Sequence, residues 1–434
     1  MFKRIARISL SILLVFALIL TLAGCGNKVN KANVDNNNVD KTIVIWAYDY
    51  YIDAAKTAVA LYKIDHPNAK FDIVELGQDD LVQKFNLALA SGNKEGLPDI
   101  VCEEDYNLKG YLAYYENSFV DLTNYIDPSL YVDYKVRDCT YDGKIWGIPY
   151  DTGVSAWFYR IDILKDAGYT EDDLKNITWE DFIKIGKVVF EKTGKYMIPL
   201  SPEGNIEGRI ILQSANSWYY NAEGKLDIVN NQALYNMTET IKKIYTAGVV
   251  DKVASWDDII ASFYNGNSAG VIGGSWWASI IAKNENQSGL WRVTQVPRMS
   301  GSDKYTNYGC CGGCSWLVLN TEKKAEAIDF LMNTVAVSDD IANTMVKKGY
   351  VVPALKTAFS VPNAVAGDVY FGGQNLCEIM ASWGEHVPYA NYYTNSYEIA
   401  YAHGALFPDY LRGITTVGAV ISALQTKAEE IMSK

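Results

Sequence analysis

Histidine is scarce in this chain, with three residues scattered at positions 66, 386 and 403 of 434. A zinc site needs about four ligands in tetrahedral geometry, so the sequence gives little support to a metal centre. An excess of lysine and arginine is also lacking, because the formal net charge is −12 at pH 7. Such an acidic chain is repelled by nucleic acid and by anionic lipid headgroups. We therefore expect no metal and no nucleic acid among its partners.

Short motifs of metal and nucleotide chemistry are lacking too. The chain has no H-E-x-x-H motif, no Walker A motif and no dinucleotide fingerprint. Carboxylates are plentiful, but a glycosidase needs two of them about 5–10 Å apart, a separation that a sequence does not show. We therefore expect a binding protein without a cofactor rather than an enzyme.

Long hydrophobic runs are absent except at the N terminus. Lys3, Arg4 and Arg7 precede an apolar stretch from Ile8 to Leu20, and the stretch ends in Leu22-Ala23-Gly24-Cys25. A membrane span needs about 20 apolar residues, so this shorter run is typical of a signal peptide. The small residues before the cysteine form a lipobox. The pattern predicts a signal peptide over residues 1–24 and a lipid anchor on Cys25.

Residues 25–41 follow the predicted cleavage point and contain few apolar side chains and many asparagines. Such a segment cannot bury a core, so we expect a flexible tether between membrane and folded body. The mature chain of 410 residues is long enough for two domains. Loss of the signal peptide lowers its net charge to −15.

Strand and helix patterns alternate beyond the tether. Thr42–Ala47 is an apolar strand, Ile52–Ile64 has helical spacing, and Phe71–Leu76 is a second strand. Asp80–Ala90 is an amphipathic helix, and a short third strand covers residues 98–101. This order predicts a mostly parallel sheet flanked by helices, with ligands outside the carboxyl ends of its strands. Near the C terminus, one apolar stripe predicts a helix over about 408–432.

Six cysteines remain after Cys25 is assigned to lipid. An even number in an exported chain is compatible with disulfides, and buried thiols are the alternative. They are Cys102, Cys139, Cys310, Cys311, Cys314 and Cys377.

Ordered landmarks along the whole folded part make the chain resemble the extracellular solute-binding proteins of sugar ABC importers, the family that includes maltose-binding protein. The order of the landmarks is more specific than any one of them. They are TIVIWAYDYYIDA, HPNAKFDIVEL, DDLVQKFNLALASG, LPDIV, YDGKIWGIPYDTGVSAWFYR, TWEDF, GVIGGSWWAS, VPRM, GGCSWLVLN and AEAIDFLMN.

The resemblance implies a two-lobe α/β fold (type II), each lobe a mostly parallel sheet flanked by helices, with the ligand in the cleft between lobes. Lobe one would comprise 42–149 plus 312–355, and lobe two 154–309 plus 362–434. The crossovers would lie near 149–153, 310–315 and 353–362. A disulfide among the three cysteines beside the second crossover would stiffen lobe closure.

A sugar presents apolar faces and hydroxyl groups, so its site needs flat aromatic rings and carboxylates. Trp276 matches the family position of a stacking tryptophan, and Trp277 is then expected to pack inside. The stretch before the final helices is one where the family often contributes aromatics. The candidate ligand-binding residues are Trp46, Tyr48, Glu103, Asp105, Asp151, Trp276, Trp383 and Tyr389.

These features together predict a monomeric substrate-binding lipoprotein on the outer face of the cell membrane, of the type found in Gram-positive bacteria. Its ligand would be a mono- or oligosaccharide, delivered to the transmembrane permease subunits of an ABC importer. A non-sugar solute such as a polyamine or peptide is the alternative within the same fold. A cell-surface glycosidase or a lectin is the alternative outside it.

Overall fold

The computed structural model of the protein describes residues 42–93 and 96–433. The predicted signal peptide, the predicted anchor at Cys25 and the predicted tether lie outside the described residues. Within the described ranges, none of the helices combines the length and the apolar character that a membrane crossing requires.

Twelve strands are present in the described residues. In chain order they are β1 Thr42–Tyr48, β2 Lys70–Leu76, β3 Ile100–Glu104, β4 Thr140–Tyr141, β5 Lys144–Ile145, β6 Gly147–Pro149, β7 Ser155–Arg160, β8 Ile198–Leu200, β9 Val250–Lys252, β10 Gly270–Gly274, β11 Trp291–Thr294 and β12 Cys314–Val318.

The α-helices of the same residues alternate with these strands in the first half and dominate the last quarter. They are α1 Asp49–Asp65, α2 Gln78–Ser91, α3 Asp105–Tyr115, α4 Asp133–Asp138, α5 Ile161–Asp166, α6 Trp179–Thr193, α7 Asn205–Ser214, α8 Gln232–Thr246, α9 Trp256–Tyr264, α10 Trp277–Ile281, α11 Lys324–Met332, α12 Asp339–Gly349, α13 Pro362–Val365, α14 Leu376–Gly384, α15 Ser396–Gly404, α16 Phe407–Leu411 and α17 Val417–Met432.

The predicted β-α-β-α-β start is confirmed as β1 to β3, which form one side of a five-stranded sheet of order β2-β1-β3-β12-β6. β1 pairs in parallel with both β2 and β3, while β12 runs against β3 and β6. Four strands therefore point the same way, and their carboxyl ends share one edge. The largest hydrophobic cluster packs around this sheet.

A three-stranded sheet of order β10-β7-β11 forms a second centre. Here the expectation of mostly parallel pairing is wrong, because β7 is antiparallel to both neighbours. The pairing joins strands more than 100 residues apart, and local periodicity carries no information about the direction of such a partner. Two further hydrophobic clusters surround this sheet.

The chain passes from β6 to β7 through residues 150–154 and from β11 to β12 through residues 295–313. Asp151 forms an isolated bridge with Pro353, and Val154 forms one with Cys310. The first predicted crossover thus contacts the other two. Gly153 has φ +54, and a Cβ there would stand 2.5 Å from the carbonyl of Gly312, so no other residue fits this approach without a shift of the backbone.

The predicted final helix over 408–432 is two helices in the structure, α16 and α17. Gly413 between them has φ +77, a left-handed conformation that interrupts the helix. The Thr416 side chain then accepts a hydrogen bond from the Ala419 backbone N–H and begins α17. The apolar stripe runs through both helices, which explains why the sequence suggested one.

Candidate functional site

Three consecutive acidic residues stand at the carboxyl end of β3, and the structure gives them different surroundings. Glu103 is 1% exposed. Its carboxylate accepts hydrogen bonds from the Glu104 backbone N–H (2.9 Å), from Asn107 Nδ2 (3.1 Å) and from the Tyr111 hydroxyl (3.3 Å). Burial raises the pKa of Glu103 to about 7. Its oxygens are therefore engaged by its own strand and by α3.

Asp105 is buried and forms an ion pair with Lys135, whose side chain is fully buried. The Ser315 hydroxyl donates a 2.6 Å hydrogen bond to the other carboxylate oxygen. Burial lowers the pKa of Lys135, but the charges of Asp105 and Asp151 outweigh it and hold the pKa above its ordinary value. Asp105 thereby ties the start of α3 to α4 and to β12.

Asp151 lies in the first crossover and is 1% exposed. Its Oδ1 accepts the Cys314 backbone N–H at 2.7 Å, and its Oδ2 accepts the Tyr50 hydroxyl at 3.0 Å. The Tyr51 hydroxyl lies 3.2 Å from both oxygens. Asp151 therefore fastens the crossover to α1 and to the start of β12, and its oxygens are already hydrogen-bonded.

Trp46 and Tyr48 lie on β1, each only 4% exposed. The ring of Trp46 packs edge-on against Phe85 at 6.4 Å, and Lys84 Nζ lies 4.2 Å from its centroid. The Tyr48 hydroxyl lies 2.9 Å from Cys314 Sγ. The structure thus places Trp46 in the hydrophobic core and Tyr48 against the second crossover.

Trp276 and Trp277 follow β10, and the structure separates their roles in packing. Trp277 is fully buried, whereas Trp276 is partly exposed. Trp276 Nε1 donates a 2.9 Å hydrogen bond to the Cys311 carbonyl, which fixes the indole beside the second crossover. A Cβ added to Gly274 would stand 2.3 Å from Trp276 Nε1, so the glycine makes room for this ring.

Glu104 is a candidate that the sequence argument did not single out. Its Oε2 is buried and has no hydrogen-bond donor among the described residues. A Cβ built on Gly312 would lie 3.3 Å from Glu104 Oε1 and 3.4 Å from Trp276 Nε1, so carboxylate and indole meet across this glycine. Burial raises the pKa of Glu104, and the positive charge of Arg209 opposes this rise.

Arg209 completes this group from α7. Its guanidinium carbon lies 4.3 Å from the centroid of the Tyr106 ring, a cation–π geometry that holds the cation beside Glu104. Arg209 stands directly before the apolar run Ile210-Ile211-Leu212 of α7, a pattern that could have marked it in the sequence. Glu104, Arg209, Tyr106 and Trp276 together offer a carboxylate acceptor, guanidinium donors and aromatic surface, which is the chemistry that sugar hydroxyls and sugar faces require.

Trp383 and Tyr389 lie apart from this group in the contacts that the structure shows. Trp383 is partly buried against the cluster around β7. The Tyr389 hydroxyl accepts a 2.9 Å hydrogen bond from Lys109 Nζ, and its ring lies 5.3 Å from both Lys109 Nζ and the Arg137 guanidinium carbon. Tyr389 therefore connects the loop before α15 with α3 and α4.

All six cysteines of the described residues are buried free thiols, so the alternative of disulfides is not realised. The Cys139 Sγ lies 3.0 Å from the Ser315 hydroxyl, and the Cys310 thiol donates to the Thr152 carbonyl at 3.2 Å. No disulfide therefore restrains the crossover segments that the structure describes.

A G-x-S-x-G pattern, which marks the nucleophile of many hydrolases, occurs at residues 266–270. Ser268 is fully buried, and its hydroxyl lies 3.1 Å from the Ser262 hydroxyl and 3.3 Å from the Gly270 carbonyl. The pattern also precedes β10, whereas a nucleophile elbow follows a strand. Ser268 is thus not presented as a nucleophile.

Comparison with known proteins finds relatives that are named as sugar-binding proteins. The chain is 35% identical over 391 residues to the lactose-binding protein of Rhizobium radiobacter, a match covering 89% of this chain and 92% of that one. It is 26% identical over 238 residues to the arabinooligosaccharide-binding protein of Bacillus subtilis, covering 53% and 52% of the two chains.

Solved structures show the same fold. The sugar-binding protein MalE of Xanthomonas citri aligns with a TM-score of 0.75 at 17% identity, covering 91% of this chain and 98% of that one. The galacto-N-biose-/lacto-N-biose I-binding protein of Bifidobacterium longum, solved with lacto-N-biose, aligns with 0.74 at 20%, covering 92% and 98%. The predicted two-lobe fold is thereby confirmed.

Residues 57–369 match the family described as bacterial extracellular solute-binding protein, as the ordered landmarks predicted. This match spans well over half of the sequence, and the relative from Rhizobium radiobacter matches almost its whole length. The chain belongs to the family of bacterial extracellular solute-binding proteins.

Proposed function

We propose that the protein is the carbohydrate-binding lipoprotein of an ABC importer. It binds a sugar between its two lobes, and the closed form delivers the sugar to the transmembrane permease subunits. The lactose-binding and arabinooligosaccharide-binding relatives support the carbohydrate class, and the family supports a binding role without catalysis.

One observation carries the proposal within the structure: Glu104 and Trp276 meet beside Gly312, and the charge of Arg209 acts on the Glu104 carboxylate. Trp276 supplies a partly exposed aromatic face, and Glu104 Oε2 is a buried acceptor without a donor among the described residues. A sugar hydroxyl satisfies that acceptor while an apolar sugar face covers the indole. Because Arg209 stands beside the carboxylate, a polycation such as a polyamine is a poorer match.

Lobe closure follows from where these groups originate. Glu104 extends from β3 of the five-stranded sheet, whereas Trp276 follows β10 of the three-stranded sheet. A ligand that touches both stabilises the closed form relative to an open one and so shifts the population toward closure. We place lobe one at 42–149 plus 312–355 and lobe two at 154–309 plus 362–434, joined by the three crossovers.

Among the other candidates, we propose supporting roles. Glu103, Asp105 and Asp151 hold the frame around Glu104 and the crossovers, since their oxygens are engaged by protein donors. Tyr48 supports the second crossover, and Trp46 packs in the core. Trp383 and Tyr389 contribute to ligand binding from outside the group around Glu104.

The N-terminal pattern supports a lipid anchor on Cys25 at the outer face of the membrane, with residues 26–41 as the tether. Two acyl chains on one residue give stable anchoring, whereas one chain is only marginal. We further propose that the protein works as a monomer, in a Gram-positive cell.

The deciding experiment is a calorimetric screen of the purified protein against galactosides, arabino-oligosaccharides and malto-oligosaccharides, with polyamines and peptides alongside. A ligand at 100 times its Kd adds about 2.7 kcal/mol to the free energy of unfolding, which a thermal shift detects. Binding of at least one sugar is expected. A response to polyamines or peptides with none to any sugar would contradict the carbohydrate assignment, and release of reducing sugar would reveal a glycosidase.

A further inference from the structure

Three tryptophans from two separate segments form one cluster. Trp277 is its fully buried member. The ring of Trp256, at the start of α9, stacks on Trp277 with centroids 4.7 Å apart and planes 18° from parallel. Trp276 lies 4.8 Å from Trp277 and 5.8 Å from Trp256. Trp256 and Trp276 are thus neighbours that rest on the same buried indole.

Trp256 is 44% exposed although it is stacked on a partner. One face of the indole covers Trp277, so the exposed area belongs to the opposite face and the ring edge. The residues beside it in the chain, Ser255 and Asp257, are exposed and polar. The Ser255 hydroxyl caps α9 through hydrogen bonds with Asp258, so the indole and the neighbouring Asp257 carboxylate are the groups that a sugar unit can use.

We propose that Trp256 forms a second stacking subsite that extends the site from Trp276, and that the ligand is an oligosaccharide long enough to cover both rings. The inference rests on the carbohydrate function proposed above. A separation of 5.8 Å between ring centroids is comparable with the spacing of neighbouring units in an oligosaccharide, so adjacent units can cover Trp276 and Trp256. Asp257 then accepts hydroxyl hydrogen bonds at the outer unit.

Simple packing predicts a different result at the same residue. If Trp256 only shields Trp277, its removal lowers the melting temperature and leaves sugar affinity unchanged for every ligand. A subsite predicts a loss of affinity that depends on ligand length, because a short ligand seated on Trp276 does not reach Trp256.

The test is isothermal titration calorimetry of the full chain with one series of sugars of increasing length, chosen as the series that the unmodified protein binds. In Trp256→Ala we expect the shortest ligand to bind as before. Longer ligands should bind about 2- to 12-fold more weakly, the range that one aromatic stacking contact contributes. Trp256→Phe keeps a flat ring and should retain most of the affinity.

Two further variants keep the test decisive. Trp256→Leu covers Trp277 with apolar bulk but offers no flat ring, so it should lose the long-ligand affinity even if Trp256→Ala fails to fold. Phe190→Ala is the matched control. Phe190 lies on α6, away from α9, is 40% exposed and pairs with the ring of Tyr196 at 4.9 Å between centroids. It should leave affinity unchanged at every length.

Equal affinities of Trp256→Leu and the unmodified protein at every length would overturn the subsite. A loss of affinity that is the same for every ligand length would also overturn the subsite, and so would an unmodified protein that binds only monosaccharides. Both results would leave the proposed carbohydrate function intact. If the unmodified protein binds no sugar, the proposed function and the subsite fall together.

Discussion

Replacing Glu104 by glutamine should weaken sugar binding without destabilising the protein. Glu104 Oε2 is buried and has no donor among the described residues, and burial raises the pKa of this carboxyl. A buried polar group without a partner costs about 1–3 kcal/mol, and more when charged. Glutamine keeps the shape and removes the charge, so we expect the free energy of unfolding without ligand to stay the same or to rise, with the lost attraction to Arg209 limiting the gain.

The same substitution removes the charged acceptor that a sugar hydroxyl uses. A hydrogen bond to a charged group contributes about 1.5–3 kcal/mol, so Kd should rise by about 10- to 150-fold. Calorimetric titration gives the affinity, and urea denaturation of the ligand-free protein gives the stability.

Asp99 provides the matched control at the other end of β3, about 16 Å away along the strand. It is 1% exposed, and its Oδ2 accepts the Val44 backbone N–H at 2.8 Å and pairs with Lys323 Nζ at 2.6 Å. Asp99→Asn breaks a buried, paired charge, so it should lower stability by about 3–5 kcal/mol and leave Kd unchanged. If Glu104→Gln instead lowers the free energy of unfolding and leaves Kd unchanged, as expected for Asp99→Asn, the proposed contact between Glu104 and the ligand is refuted.

Three other measurements follow from the buried polar groups. Burial raises the pKa of Glu207 from 4.5 to about 7, so between these pH values the folded protein holds a proton that the unfolded chain has released. The stabilising contribution of this proton is fully present below pH 4.5 and is lost as the pH rises through 7. Glu207→Gln should therefore flatten the fall in melting temperature between pH 5 and 8. A fall of equal steepness in the variant would contradict this. Lys135→Met leaves the buried Asp105 charge without its partner, so urea denaturation should show a free energy of unfolding lower by about 3–5 kcal/mol. The loss should be smaller when Asp105→Asn is added, and strictly additive losses in the double variant would contradict the pairing. Burial also raises the pKa of the thiols, so a thiol reagent should label none of the six described cysteines in the native protein and all six after unfolding, and rapid native labelling would be inconsistent with their burial.

The first two strands and the first two helices could be predicted to within a few residues because their signals are local. The predicted strand Thr42–Ala47 became Thr42–Tyr48, and the predicted helix Asp80–Ala90 became Gln78–Ser91. Each element carries its own apolar period and its own breaking residues, such as Gly92 with φ +64. The antiparallel pairing of β7 depends on strands more than 100 residues away, so no local sequence pattern predicts its direction.

The partition of the two adjacent tryptophans was predictable only in part. Sequence alone indicates that one of two consecutive side chains after a strand turns inward. Which of the two is partly exposed depends on Gly274 making room for Trp276 and on the Cys311 carbonyl accepting its N–H, and both contacts arise from the crossover. Trp256 escaped notice because it joins the cluster from a helix 20 residues earlier.

Glu103, Glu104 and Asp105 show why an acidic run resists interpretation from sequence. Glu103 and Glu104 lie on a strand, where successive side chains point to opposite faces, so one is held by α3 and the other faces Arg209 and Gly312. Asp105 begins the helix, and the change of backbone geometry turns it toward Lys135 instead. A solvated acidic turn would leave three equivalent carboxylates in water. Here the strand-to-helix junction gives each a separate environment, and only Glu104 is left with an acceptor that the described protein does not use.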